Sequence, residues 1–232
     1  MKNLAVIMAA YKAERWIDTA VRSVLAQKLP DGWEVDLRIG VDGCPATAKA
    51  LDKISVPYWR AAKNAGLFPM RNSLIKLGPA DAFTCFDADD EMLPGYLAAL
   101  LKAHAENAVV SPMRIQCHPD LTPTGKPPMK ANGMYMISGE LMSRLGGFRD
   151  YRCAADSDMR QRAEALSGER RIYVREAIFR RRAHPGSLTH APATRNGGEY
   201  RHRALNEMTA LRRLGEMTVE NPATVPLERV EP

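Results

Sequence analysis

The chain has 232 residues, with 33 lysines and arginines against 27 aspartates and glutamates, and 45% of its residues are hydrophobic. These proportions are ordinary for a globular protein and exclude collagen-like, mucin-like and wholly disordered classes. The longest apolar runs, 4–11 and 96–101, are far shorter than the roughly 20 residues that cross a bilayer, and charged residues after position 11 argue against a signal peptide. We therefore expect a soluble, cytoplasmic protein with no membrane span.

Positive charge is concentrated in the C-terminal part of the chain. Residues 1–143 contain 16 basic and 15 acidic residues, whereas residues 144–232 contain 17 basic residues, all arginine, and 12 acidic ones. Guanidinium groups match phosphate oxygens, so this part favours an anionic ligand such as a diphosphate or nucleic acid; a solvated basic face would explain the charge equally well. The cysteines are widely spaced, which predicts buried, reduced thiols rather than a zinc site: Cys44, Cys85, Cys117 and Cys153.

Apolar runs alternate with helical patterns along the first half of the chain. Short apolar stretches predict buried strands, and apolar spacings of three and four predict helices. The predicted strands are 4–9, 35–42, 56–59, 82–86 and 108–113. The helices predicted between them are 16–25, 46–53, 70–77 and 96–105. This alternation predicts parallel βαβ units, in which ligands bind beyond the carboxyl ends of the strands.

The composition changes at residues 117–132, where four prolines, one glycine and two lysines predict a flexible loop. The elements predicted beyond it are strands at 133–137 and 172–182 and helices at 139–145, 156–166 and 200–214. Residues 217–232 show no periodicity, and we expect them to form an extended tail.

The most informative segment is 83–91, where a buried-looking strand runs directly into four acidic residues, Asp87, Asp89, Asp90 and Glu91. Clustered carboxylates repel one another, so such a group at a strand end usually needs a cation. Oxygen ligands suit Mg²⁺ or Mn²⁺, which can also bridge the oxygens of a diphosphate. The alternative is structural, because Asp89 or Asp90 can also begin the next helix. Asp42 ends the second predicted strand, where it either faces a ligand or simply forms the turn.

The order of these segments resembles that of glycosyltransferase family 2, whose members are inverting, metal-dependent enzymes. The resemblance extends from the first strand to about Thr189. Its motifs in the first half are Tyr11-Lys12-Ala13-Glu14 for the family's Y-N-x-E, Val41-Asp42-Gly43 for D-D-G, Asn64-x-Gly66 with Arg71-Asn72 for N-x-G and R-N, and Asp87-x-Asp89 for D-x-D. Those in the second half are Leu145-Gly146-Gly147-Phe148-Arg149 for L-G-G-F-D, Ala155-Asp156-Ser157-Asp158-Met159 for E-D-x-D-L, and His184 with Ser187 for R-x-H-x-x-S. Lys12 stands where the family has Asn, and Ala155 where it has Glu.

The resemblance implies an α/β protein with the Rossmann-like GT-A fold, a central and mostly parallel sheet flanked by helices. It implies one domain over residues 1–216. That domain comprises a nucleotide-binding half (1–116), the flexible loop (117–132) and an acceptor-side half with the C-terminal helix (133–216). Residues 217–232 follow as the tail.

The resemblance also assigns roles to single residues. The residues expected to bind the nucleotide sugar are Tyr11, Glu14, Asp42, Asn64, Arg71 and Asp87. Asp89 and His184 are expected to hold Mn²⁺ or Mg²⁺, and Asp156 to act as the general base. The implied reaction moves a sugar, with inversion, from a nucleotide-diphosphate donor, above all a UDP-sugar, to a hydroxyl acceptor. Two alternatives stay open. The protein is either a glycosyltransferase whose acceptor is nucleic acid, bound through its phosphates by the arginine-rich half, or a non-catalytic nucleotide-binding protein.

Overall fold

The computed structural model describes residues 1–192 and 194–232. The strands are β1 (Lys2–Ala10), β2 (Trp33–Asp42), β3 (Tyr58–Ala61), β4 (Ala82–Cys85), β5 (Glu91–Met92), β6 (Val110–Cys117), β7 (Met129–Lys130), β8 (Met136–Ser138), β9 (Ile172–Arg182) and β10 (Glu228–Val230). The helices are α1 (Ile17–Leu25), α2 (Pro45–Asp52), α3 (Leu67–Ile75), α4 (Tyr96–His104), α5 (Gly139–Leu145), α6 (Ala155–Ser167) and α7 (Glu199–Arg213).

The strands form one sheet in the order β10-β3-β2-β1-β4-β8-β6-β9-β5, with β7 paired to β6. The longest pairings, β1 with β2 and β6 with β9, are parallel. The antiparallel pairings involve only one to three residue pairs each and lie in the second half of the sheet or at its edge. The expected α/β fold with a central, mostly parallel sheet and flanking helices is therefore confirmed.

The strand β1 is buried on both faces. Alternate residues of β1 enter different cores: Leu4, Val6 and Met8 pack with α1 and α4, whereas Ala5 and Ile7 pack with α3, α5 and α6. A strand covered on both faces is apolar at every position, which explains why its sequence is a continuous apolar run rather than an alternating one. This packing places the carboxyl ends of β1, β2 and β4 side by side.

Two segments have more structure than their sequences indicate. In the segment expected as a flexible loop, Met129–Lys130 pairs with β6. Cys117 also forms an isolated antiparallel β-bridge with Pro123. In the tail, β10 pairs with β3, and the Arg60 guanidinium donates to both carboxylate oxygens of Glu228 at 2.9 and 3.0 Å. Strands of two or three residues are too short to show a period in the sequence.

The four cysteines are buried free thiols, as the sequence predicts. Within residues 1–192 and 194–232, no helix combines the length and the apolar character that a bilayer crossing requires.

Candidate active site

Three carboxylates cluster just beyond the carboxyl end of β4. Asp87, Asp89 and Asp90 each bring an oxygen within 4.8 Å of the other two. Asp90 is buried, whereas the side chains of Asp87 and Asp89 are 43% and 26% exposed, so the cluster opens to solvent on one side. Its position at the carboxyl end of central strands is the usual ligand site of such sheets.

Asp90 connects the acidic turn to β9. Its Oδ1 accepts a hydrogen bond from the backbone N–H of Arg182 at 2.9 Å. Burial raises the pKa of Asp90 well above its usual value, and the neighbouring Asp89 and Asp87 raise it further. The helix α4 begins at Tyr96 after Gly95, so the alternative that Asp89 or Asp90 caps this helix is wrong.

His184 lies next to Asp89 although the two are 95 positions apart. The distance from His184 Nε2 to Asp89 Oδ2 is 2.7 Å. The indole of Trp16 packs on the imidazole, with ring centroids 4.2 Å apart and the planes tilted by 46°. Sequence periodicity places Trp16 on the apolar face of the first helix, but the structure makes it the residue before α1. Its contact with His184 carries no local sequence signal.

Arg71, on α3, is a buried cation that faces the acidic cluster. Its Nη2 donates to Asp87 Oδ1 at 2.7 Å, and its guanidinium packs against the rings of Phe68 and Phe148 at 5.9 and 5.8 Å. Burial raises the pKa of Asp87, Arg71 opposes this shift, and Asp89 adds to it. The Nε of Arg71 has no hydrogen-bond partner among the described residues.

Asp42, at the end of β2, organises the turn before α3. Its carboxylate accepts hydrogen bonds from the backbone N–H of Ala65 at 2.7 Å, from that of Gly66 at 2.9 Å and from Asn64 Nδ2 at 2.9 Å. Burial raises the pKa of Asp42, while the two backbone hydrogen bonds lower it. Asp42 therefore stabilises a turn, which was one of the two alternatives that the sequence left open. Its contact with a nucleotide stays a prediction.

Tyr11 and Glu14 follow β1 and lie on the surface. Tyr11 is 48% exposed, with Lys12 Nζ 5.3 Å from its ring centroid. Thr47 Oγ1 of α2 donates to Glu14 Oε2 at 3.2 Å. Neither residue contacts the acidic cluster through a hydrogen bond or ion pair within the described part of the chain.

Asp156 lies in the first turn of α6, against the segment that leads into β8. The backbone of Gly133 is so close to Asp156 Oδ2 that a Cβ there would overlap it. The buried thiol of Cys85, at the end of β4, responds to the surrounding charges: burial raises its pKa to about 11, Arg71 opposes the shift, and Asp87 and Asp156 add to it. Asp156, Arg71 and Asp87 thus all influence the pKa of this thiol.

Asp158, two residues further along α6, is fully buried and has a different environment. Its carboxylate pairs with Arg162 at 2.8 Å, with Arg149 at 3.3 Å and with Arg212 of α7. Arg162 also donates to the backbone carbonyls of Leu145, Gly147 and Met217. This network fixes α6, and with it Asp156, to α7 and to the start of the tail.

The central sheet with helices on both faces is the architecture of the GT-A fold. The model of glycosyl transferase family 2 matches residues 5–160, about two thirds of the chain, and the chain belongs to this family. The family and the fold expected from the sequence motifs are thus confirmed. A search of the curated proteins finds no match.

Several solved structures share the fold. S. aureus TarS 1–349 in complex with UDP is 16% identical, with 80% of this chain and 61% of that chain covered at a TM-score of 0.63. The TarS complex with UDP-GlcNAc is 15% identical, with 81% and 60% covered at 0.64. The mannosyltransferase PcManGT from Pyrobaculum calidifontis, in complex with GDP-Man and Mn²⁺, is 16% identical, with 77% and 56% covered at 0.62. The chain thus spans 56–61% of the length of these proteins, and at such identity the likeness shows the fold alone.

Proposed function

We propose that the protein is a metal-dependent, inverting glycosyltransferase that moves a sugar from a nucleotide-diphosphate donor, first of all a UDP-sugar, to a hydroxyl acceptor. The observation that carries this proposal is the contact of His184 with Asp89 within the carboxylate cluster, next to the ion pair of Arg71 with Asp87. The complexes of TarS with UDP and UDP-GlcNAc, and of PcManGT with GDP-Man and Mn²⁺, support a nucleotide-sugar donor and a divalent ion.

The residues present fit a divalent cation. Three carboxylates converge within 4.8 Å, and an imidazole nitrogen adjoins one of them. Carboxylate oxygens suit Mg²⁺ and Mn²⁺, and the positive charge would offset the repulsion within the cluster. Asp89 and His184 would hold the ion, and its chemistry would be to neutralise the negative charge of the departing diphosphate.

Asp156 would remove the proton from the acceptor hydroxyl. A neutral hydroxyl is a poor nucleophile, and a positioned carboxylate base accelerates such steps roughly 10²–10⁴-fold. The acceptor oxygen then attacks the anomeric carbon from the face opposite the diphosphate. One carbon–oxygen bond forms as the other breaks, which inverts the configuration.

Arg71 and Asp42 would organise the site that binds the nucleotide-sugar donor. Arg71 is held rigidly by two aromatic rings and by Asp87, so its positive charge stays near the expected position of the diphosphate. Asp42 fixes the 64–66 turn, from which α3 presents Arg71. Tyr11 is sufficiently exposed to pack against a nucleotide.

Release of nucleoside diphosphate from a panel of nucleotide sugars and hydroxyl acceptors, with Mn²⁺, Mg²⁺ or EDTA, tests the proposal. We expect metal-dependent turnover. Asp156→Asn should lower transfer by about 10²-fold or more and spare donor binding. Asp89→Ala should abolish metal-dependent donor binding, whereas Asp18→Asn, an exposed change on α1, should affect neither measurement.

Each result that would contradict the proposal points to a different part of it. Unchanged metal-dependent donor binding by Asp89→Ala would remove the metal assignment. Near-normal turnover by Asp156→Asn would remove Asp156 as the base. Donor binding without turnover across the whole panel would favour the non-catalytic nucleotide-binding alternative.

A further inference from the structure

The side chain of Trp16 packs on His184 rather than in the apolar core. Trp16 belongs to neither of the two apolar clusters that the described residues form on the faces of the sheet. Its ring instead lies against the imidazole of His184, with the centroids 4.2 Å apart and the planes tilted by 46°. The role of this half-buried indole is therefore to be sought at the candidate metal site.

The polar atom of the indole contributes no hydrogen bond. Trp16 Nε1 is buried and has no hydrogen-bond partner among the residues that the structure describes. A buried N–H without a partner costs free energy, so hydrogen bonding does not explain a tryptophan at this position. The site uses the face of the aromatic ring, and phenylalanine would supply such a face without the unpaired N–H.

The imidazole of His184 has a polar contact at only one of its two nitrogens. Its Nε2 lies 2.7 Å from Asp89 Oδ2, and its Nδ1 has no hydrogen bond within residues 1–192 and 194–232. The second ring nitrogen of a metal-binding histidine is ordinarily held by a hydrogen bond, which fixes the orientation of the ring. Rotation of a histidine ring about its Cβ–Cγ bond has only broad preferences. The contact with Trp16 therefore restricts a ring that would otherwise be oriented by Asp89 alone.

Trp16 is attached to a helix that is tied to the segment after the acidic turn. The helix α1 begins directly after Trp16, and Ser23 Oγ on this helix accepts a hydrogen bond from the backbone N–H of Met92 at 3.0 Å. Gln27, just beyond the end of α1, donates to the backbone carbonyl of Leu93 at 3.0 Å. These bonds fix α1, and with it the backbone of Trp16, relative to the carboxylates that precede β5.

We propose that Trp16 is a positioning residue, which holds the imidazole of His184 beside Asp89 so that the pair is already arranged for a divalent cation. The inference rests on the metal site of the proposed function. Trp16 acts through His184 and does not contact the cation itself. Loss of a partner that orients a metal-binding histidine typically lowers metal affinity 10–100-fold, so we expect an effect of about ten-fold from the indole.

Binding of Mn²⁺ alone to the full chain, followed by the electron paramagnetic resonance of the free ion, tests this inference. Trp16→Leu should raise the Kd for Mn²⁺ about ten-fold with little change in Tm, and Trp16→Phe should stay within about two-fold of wild type. The control is Trp33→Leu, which makes the same change at the amino end of β2, roughly 30 Å of strand from its carboxyl end. Trp33 packs on the apolar core, so this control should lower Tm and leave the Kd for Mn²⁺ unchanged.

A double-mutant cycle with His184→Ala separates positioning from a general effect on the fold. His184→Ala should itself weaken Mn²⁺ binding. Addition of Trp16→Leu to this variant should weaken binding no further, because the indole acts only through the imidazole. Additive losses would overturn the inference, as would an unchanged Kd in Trp16→Leu or an equal loss in Trp33→Leu.

NMR spectra of the indole N–H groups test the location of the ion in the wild-type protein, independently of any variant's stability. Paramagnetic Mn²⁺ should broaden the signal of Trp16 and spare that of Trp33; the two signals are assigned by their loss in Trp16→Phe and Trp33→Leu. Mn²⁺ that leaves the Trp16 signal sharp would overturn the inference. Failure of the proposed function is a different result: no donor releases nucleoside diphosphate, although Mn²⁺ still binds in a manner that depends on Trp16.

Discussion

Replacement of Gly133 by alanine is expected to displace the carboxylate of Asp156 while preserving the fold. The backbone at Gly133 is outside the left-handed region, so alanine fits its conformation. The added Cβ would lie 2.2 Å from Asp156 Oδ2 and 3.4 Å from its Cγ. Non-bonded carbon and oxygen atoms do not approach much closer than about 3 Å, so the carboxylate oxygen must retreat by about 1 Å.

The expected magnitude follows from this displacement. A catalytic group misplaced by about 1 Å can lose on the order of 100-fold in rate, which corresponds to about 2.7 kcal/mol of transition-state stabilisation. Asp156 is expected to contact the acceptor rather than the nucleotide, so the affinity for the donor should stay unchanged. The obstacle is the end of a mobile side chain, so Tm should fall little.

The assay compares kcat, KM for the donor and Tm in Gly133→Ala and Gly78→Ala. Gly78 is the matched control, because a Cβ there meets only Arg38 Nη2 at 3.9 Å, an ordinary contact. Turnover by Gly133→Ala within about two-fold of the wild-type rate would refute the placement of the base against Gly133. An equal loss in Gly78→Ala, or a large fall in Tm, would show that the effect is structural rather than catalytic.

Three further predictions concern stability. Asp158→Asn leaves three buried or half-buried arginines without their shared carboxylate. In urea titrations it should lower the free energy of unfolding by about 3–5 kcal/mol. The control Asp18→Asn, at an exposed ion pair, should change that free energy by less than about 1 kcal/mol. Asn72→Ala removes hydrogen bonds to the backbone of Phe148 and to the tail. It should lower the free energy of unfolding by on the order of 2 kcal/mol and speed proteolysis of the tail. Unchanged proteolysis would show that Asn72 does not hold the tail in place. Burial and a hydrogen bond to a carboxylate raise the pKa of Tyr58 to about 12, so the folded state keeps a proton that the unfolded chain loses near pH 10. Stability should therefore fall from pH 10 to 12 in wild type and more weakly in Tyr58→Phe, and equal slopes in the two proteins would refute the assignment.

The sequence identified the elements that carry a strong local pattern. The apolar run at 4–9 became β1, and the run at 82–86 that precedes the acidic residues became β4. The motif around Asp42 was correctly placed at the end of β2, before the 64–66 turn. These features depend on a few neighbouring residues, so the pattern within a short stretch of sequence is enough to recognise them.

Other features involve residues whose proximity depends on how the strands are ordered. Asp90 resembled a helix cap, but its partner is the backbone N–H of Arg182. The tail had no period, yet β10 completes one edge of the sheet. Gly133 begins a predicted strand, and nothing in its local sequence indicates that Asp156 of α6 lies against it.

The sequence by itself determined the family, the order of the longer helices and strands, and the residue types present in the motifs, because these depend on local patterns and on motif order. Only the tertiary structure decided that His184 lies 2.7 Å from Asp89, that Trp16 packs on that imidazole, and that Lys130 and Arg171 share the ring of Tyr173. These contacts depend on the order in which the strands lie side by side in the sheet, which brings together residues that are far apart in the chain.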